Sequence, residues 1–193
     1  YAHPQNGHEP PTVTVVSSAL AAPFNLEVSK KGVLVADGAQ NLVGTVQSDG
    51  TIKTLAADQP GASGVATSRD GKLMAFTTTE TDYGTFTNTA SGLNIWGNGK
   101  KIYADTHAYE TKHNPDKVLS YGVKNPSQCV IDAFAAMGLP ASYKGQIDSH
   151  AYSVVAYGDG WLVADAGANV LWQVDSRGKV RVAAILPAQP HKI

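Results

Sequence analysis

One stretch of this sequence is written twice. Residues 23–56, PFNLEVSKKGVLVADGAQNLVGTVQSDGTIKTLA, overlie residues 151–184, AYSVVAYGDGWLVADAGANVLWQVDSRGKVRVAA, at an offset of 128 with no gap. Ten of the 34 positions are identical, among them Gly32/Gly160, Leu34/Leu162, Val35/Val163, Ala36/Ala164, Asp37/Asp165, Asn41/Asn169 and Gly50/Gly178. A unit of this length cannot bury its own apolar face. Such a chain builds its core by stacking copies of one small module.

Each copy reads as four short strands. In the second they are residues 152–156, 161–165, 170–174 and 180–184. Asp159-Gly160 and Arg177-Gly178 supply the positive φ that tight hairpins require, and residues 166–169 form a polar, Gly-containing turn. Four strands of about five residues in a meander are the blade of a β-propeller. A degenerate third copy lies between the two. Residues 62–67, the Arg69-Asp70-Gly71 turn and residues 73–77 match the first two strands; residues 93–96, Asn98-Gly99 and residues 101–104 match the last two. Its middle turn has grown to residues 78–92, rich in Thr, Asp and Gly, and is expected to project from one face.

Residues 106–148 break the pattern. Asn125 as N-cap and Pro126 at the first helical position predict a helix, with Val130, Ile131, Phe134, Ala135 and Met137 at apolar spacings of three and four. Gly138 and Pro140 stop it. Residues 13–17, in TVTVVSSALAAPFNL, resemble the last strand of a blade (KVRVAAILP, residues 179–187) and are expected to close a ring. The expected organisation is a polar, flexible tail over residues 1–11. The N-terminal half of one all-β propeller domain then runs over residues 12–193. Its blades are at about 23–57, 62–105 and 151–186, with a helical insertion at 106–148.

Three blades leave two apolar faces without a neighbour, each of hundreds of Å², more than soluble monomers usually expose. A closed propeller needs at least four blades, and six or seven are common. The expected partner is therefore a second polypeptide that completes the ring. Other classes fall away on composition. A net charge of −1 with 16% charged residues gives no basic face for nucleic acid or an anionic membrane. No apolar run reaches the ~18 residues a bilayer-spanning helix needs. The polar opening YAHPQNGHEPP, with low Lys and Glu content, reads as a processed N-terminus and predicts a secreted protein. Cys129 is the one cysteine, so no disulfide closes within the chain.

The segment SHAYSVVAYGDGWLVADAGANVLWQVDSRGKV, together with NPSQCVIDAFAAMGLP and VTVVSSALAAPFNLEVSKKGVLVADG, resembles the exported actinobacterial and cyanobacterial ScyD/ScyE family. The likeness spans nearly the whole chain, although VADAGAN alone is shared with NHL-type repeats. The resemblance implies a six- or seven-bladed propeller about twice this length. It also implies a second cysteine in the later half to which Cys129 pairs. It assigns no reaction.

Several side chains are candidates for chemistry. Asp37 and Asp165, each four residues before an Asn, read either as a carboxylate ring for a cation or as turn carboxylates accepting backbone N–H bonds; the second is favoured because the role recurs in each repeat. Asp148, His150 and Tyr152 precede and open an innermost strand, where loops line a channel mouth. Asp148 and His150 are candidates to hold a ligand or shuttle a proton, set against a plain hydrogen-bonding role. His107, His113 and Asp116 lie in the insertion, without the spacing of a zinc site, and read as solvated loop. Ser149, His113 and Asp116 make a triad only on paper, because no G-x-S-x-G elbow is present. Trp161 and Trp172 read as inter-blade packing. No G-x-G-x-x-G or P-loop occurs and no cofactor is expected; the sequence leaves metal content open.

Gln5 in the tail, Gln40 in a turn, and Gln59 and Gln189 in inter-blade links are accessible enough to serve as acyl donors to an exported transglutaminase. The functional expectation is thus a non-catalytic exported propeller that acts through protein–protein contacts. Its partners would be a secreted protease or a transglutaminase. The competing expectation is a lyase or metal-dependent hydrolase with its site at the channel mouth.

Overall fold

The computed structural model describes residues 12–29 and 32–189. The chain is all-β, with three four-stranded antiparallel meanders. The first sheet is β1 (Pro23–Ser29), β2 (Gly32–Asp37), β3 (Leu42–Val46) and β4 (Ile52–Ala56). The second is β5 (Val65–Thr67), β6 (Met74–Asp82), β7 (Thr87–Gly97) and β8 (Lys100–Asp105). Between it and the third come α1 (Thr106–His113), β9 (Ser120–Gly122), α2 (Gln128–Ala136) and β10 (Ser142–Lys144). The third sheet is β11 (Ala151–Tyr157), β12 (Gly160–Asp165), β13 (Val170–Val174) and β14 (Val180–Ile185). In each, strands pair in sequence order.

The repeat persists down to its irregularities. Asn41 and Asn169 adopt left-handed φ of 54° and 53°, and Gly50 and Gly178 take 82° and 83°. The ladder between the first two strands slips at Pro23/Asn25 in one copy and at Ala151/Ser153 in the other. That between the last two slips at Val43/Gly44 and Leu171/Trp172. Each pair of positions differs by 128, the sequence offset. Bulges redirect a strand by one residue, so both sheets bend at the same places for the same reason.

Alternation along the strands sends side chains to both faces of the middle sheet. Val65 and Phe76 pack with Leu34, Ala36 and Val43 of the first sheet, and Met74 and Trp96 lie against that cluster. Ala66, Ala75, Leu93 and Ile95 pack with Trp161, Val163, Trp172 and Val174 of the third. Trp161 and Trp172 are thus inter-sheet packing residues, at 1% and 0% exposure. Innermost strands β5 and β11 approach so closely that a Cβ on Gly64 would lie 2.8 Å from Ser153 Cα.

Four expectations change. Residues 12–17 form no strand. They lie instead across the first sheet, where the Ser17 hydroxyl donates to the Gly50 carbonyl at 2.6 Å. An isolated segment forms a ladder only along a free edge, and this one lies over the sheet's apolar side instead. Residues 78–92 are no projecting loop. β6 and β7 continue as one long hairpin, paired out to Asp82↔Thr87, because alternating threonines favour extended backbone. The insertion holds two helices and a two-stranded sheet, β9 with β10, rather than one helix. In α2 the N-cap is Ser127, while Asn125 sits in the left-handed region at φ 52°. The tail, residues 1–11, lies outside the described residues.

Candidate functional site

Polar side chains concentrate where α1 and the 145–149 segment meet the head of the third sheet. α1 starts because the Asp105 carboxylate accepts the Ala108 N–H at 2.7 Å, and it stops where Asn114 turns left-handed before Pro115. It buries Thr106 and Glu110, and lays Tyr109 edge-on against Trp172 at 5.3 Å.

The centre of the cluster is Asp165, 2% exposed. One carboxylate oxygen accepts the His150 N–H at 2.7 Å and the Ala168 N–H at 3.0 Å. The other accepts the Ser149 hydroxyl at 2.6 Å and the Trp172 indole N–H at 2.8 Å. Ser149 Oγ also lies 2.8 Å from the Thr106 hydroxyl, which donates to the Ser91 carbonyl at 2.9 Å. Asp37 plays the same part in the first sheet, accepting the N–H groups of Ala21, Ala22, Ala39 and Gln40. Burial alone would raise it, but those donors outweigh burial and hold its pKa below the usual carboxylate range. Both repeat aspartates therefore organise turns. The Ser149–His113–Asp116 triad does not form: Ser149 is fully buried in bonds to Asp165 and Thr106, and the exposed His113 stacks on Tyr109 at 4.5 Å.

Asp148, His150 and Tyr152 share one side at the head of β11. Asp148 Oδ1 accepts the Asn88 amide at 2.9 Å. Burial raises its pKa, His150 and His107 pull it down, and Asp165 pushes it up. The His150 and Tyr152 rings are 5.2 Å apart, and Tyr152 meets Phe24 of β1 edge-on at 5.5 Å. These residues are brought together by the fold, and the Asp148 carboxylate is already engaged by Asn88.

The glutamines differ in freedom. Gln40 is tied to the Ala19 carbonyl at 2.8 Å, and the half-buried Gln59 to that of Ala57 at 2.7 Å. Gln189, exposed after the last strand, reaches only the Pro187 carbonyl at 3.3 Å. Gln5 lies outside the described residues. Cys129 is an exposed free thiol at the start of α2.

Sequence reasoning missed Glu110 and Asn114. Glu110 is fully buried. Oε2 accepts the N–H groups of Asp148 at 3.0 Å and Ser149 at 2.6 Å. Burial pushes its pKa up to about 7; the two N–H donors oppose this, and the charges of Asp165 and Asp116 add to it. Asp116, expected in solvated loop, is fully buried as well. The signal that locates α1 is Asp105 before it and Asn114-Pro115 after it. Nothing in the sequence says which of its side chains turns inward.

Among the described residues no three His, Cys, Asp or Glu side chains form a metal-holding group, and no helix is long and apolar enough to cross a membrane. Compared with family models and with curated proteins, the sequence matches none.

Proposed function

We propose that this chain is a non-catalytic interaction module: an arc of a secreted β-propeller of the ScyD/ScyE type, whose two outer sheet faces are covered by a second polypeptide that completes the ring. The observation that carries the reading is a mismatch between equivalent faces. In the third sheet Trp161, Val163, Trp172 and Val174 are buried against the middle sheet. Their equivalents in the first sheet are Val33, Val35, Gly44 and Val46. Val35 and Gly44 are buried here too, but Val33 and Val46 are only half-buried, and with Leu26 (61% exposed) and Val28 (74% exposed) they line an open groove of about 670 Å³ to which Val15, Val16, Ser17 and Leu20 also contribute. The converse holds at the other end. Leu34, Ala36 and Val43 are buried in the first sheet, whereas Leu162, Ala164 and Leu171 are only half-buried in the third, beside Val155 at 57% exposed. A repeat that buries a face in one copy supports a neighbour for that face in the other.

Native mass spectrometry of protein purified from its producing cells tests this. We expect a complex above 20.2 kDa that separates under denaturation into this chain and a companion with the same repeat. Val33→Asp with Val46→Asp should abolish that complex while the other two sheets stay folded. A lone monomer whose faces bind no hydrophobic dye overturns the reading. We further propose Gln189 as the acyl donor for a transglutaminase, on its exposure beyond β14.

A further inference from the structure

We propose that the buried oxygens of Glu110, Asn114 and Asp116 form a site for a hard divalent cation of the Ca²⁺ class, covered by the 145–149 segment. Three oxygens carry the argument: Glu110 Oε1, Asn114 Oδ1 and Asp116 Oδ1 are removed from solvent and receive no hydrogen bond. Glu110 and Asp116 are both 0% exposed. Leaving such acceptors empty is costly, and more so when they are charged. The other polar atom of each side chain is anchored. Glu110 Oε2 holds the N–H groups of Asp148 and Ser149. The Asn114 amide donates to the Gly145 carbonyl at 3.3 Å, and Asp116 Oδ2 accepts the Asn169 amide at 3.1 Å. The free oxygens are thereby held in place.

The charge around them points the same way. Asp165 and Asp116 both act on Glu110, yet the ion pairs among the described residues, Lys72–Asp70 and Arg177–Asp175, lie on surface turns. The nearby His107 also has a buried, unpartnered Nδ1, but it acts on Asp148 and, being nitrogen, suits a hard cation poorly. Gly145 packs directly on the Asp116 carboxylate, where any Cβ would collide, so main chain lies beside the site. With only two carboxylates, the ligand set is mixed. The amide oxygen, backbone carbonyls and water complete the six to eight oxygens that Ca²⁺ takes.

The test uses the whole chain after dialysis against EDTA, with Tb³⁺ as probe. Tyr121, close enough for the Asp116 charge to act on it, sensitises Tb³⁺ emission. We expect one saturable site, displacement of Tb³⁺ by CaCl₂, and a higher melting temperature with Ca²⁺. Glu110→Gln preserves an acceptor for the Asp148 and Ser149 N–H groups and should weaken Tb³⁺ binding at least tenfold with unchanged circular dichroism. Asp116→Asn keeps an oxygen to accept the Asn169 amide while removing a charged ligand, and should weaken it as well. Absence of saturable binding at millimolar Ca²⁺ overturns the proposal. So does an affinity that neither substitution moves, which would mark an adventitious surface ion only.

Discussion

Replacing Asp165 by Asn tests whether one buried carboxylate ties the insertion to the third sheet. The side chain keeps its shape, and its remaining oxygen can still accept the N–H groups of His150 and Ala168. The new NH₂ then faces the Ser149 hydroxyl and the Trp172 indole N–H, which lie 2.6 and 2.8 Å from the present oxygen. The Ser149 hydroxyl can turn its proton to Thr106 Oγ1, 2.8 Å away, and accept; an indole N–H cannot. The variant thus exchanges a charge-assisted hydrogen bond for a buried donor facing a donor, a loss of about 3 kcal/mol. For a chain of this length that lowers the melting temperature by roughly 6–12 °C. The assay is thermal unfolding followed by circular dichroism, run as a double-mutant cycle with Trp172→Phe. With the indole N–H gone, the Asn substitution should cost about 1–2 kcal/mol less than it does alone. Strict additivity, or a melting point within a degree of the wild type for Asp165→Asn, would refute the reasoning.

Phe76→Ala removes a fully buried ring between the first and second sheets; a loss of about 3–5 kcal/mol is expected in urea titration. The near-UV signal of Trp96, edge-on to Phe76 at 5.1 Å, should weaken with it. Acid should unfold the chain in part through Asp37. Its folded pKa is held below the ordinary value of 3.8, so its stabilisation is present above that value and is lost as the pH falls through the folded pKa. Asp37→Asn should flatten the stability–pH curve there, and an unchanged curve would exclude this source. Incubation with a transglutaminase and a labelled amine, followed by peptide mapping, should place label on Gln189 and none on the tethered Gln40; no label on Gln189 ends that proposal.

What the sequence disclosed was whatever the repeat controlled. Asn41/Asn169 and Gly50/Gly178 marked the turns because left-handed backbone restricts residue choice. Asp37/Asp165 marked themselves as turn organisers by recurring. Where repeat and local pattern parted, the reading failed. Residues 78–92 carry turn residues, but β-branched threonines on both strands extend the hairpin through them. Residues 13–17 have strand composition, yet they settle over the apolar side of the first sheet rather than along an edge. α1 has capping signals at both ends and almost no apolar stripe, so periodicity passed over it. The inward turn of Glu110 and Asp116 depends on the 145–149 segment folding back over them, a contact about 30–40 residues away in sequence that no local pattern encodes.

Because each meander is closed by partners a few residues apart, the sheets can zip up one after another as the polypeptide is made. Closing short loops costs little entropy. The middle sheet then becomes the hinge of cooperativity. Among the described residues it packs against a sheet on each side, so damage to Ala75 or Phe76 should propagate outward in opposite directions. The first sheet keeps an oily side, with Leu26 and Val28 exposed. An apolar side left open in this way favours aggregation in any state that does not cover it.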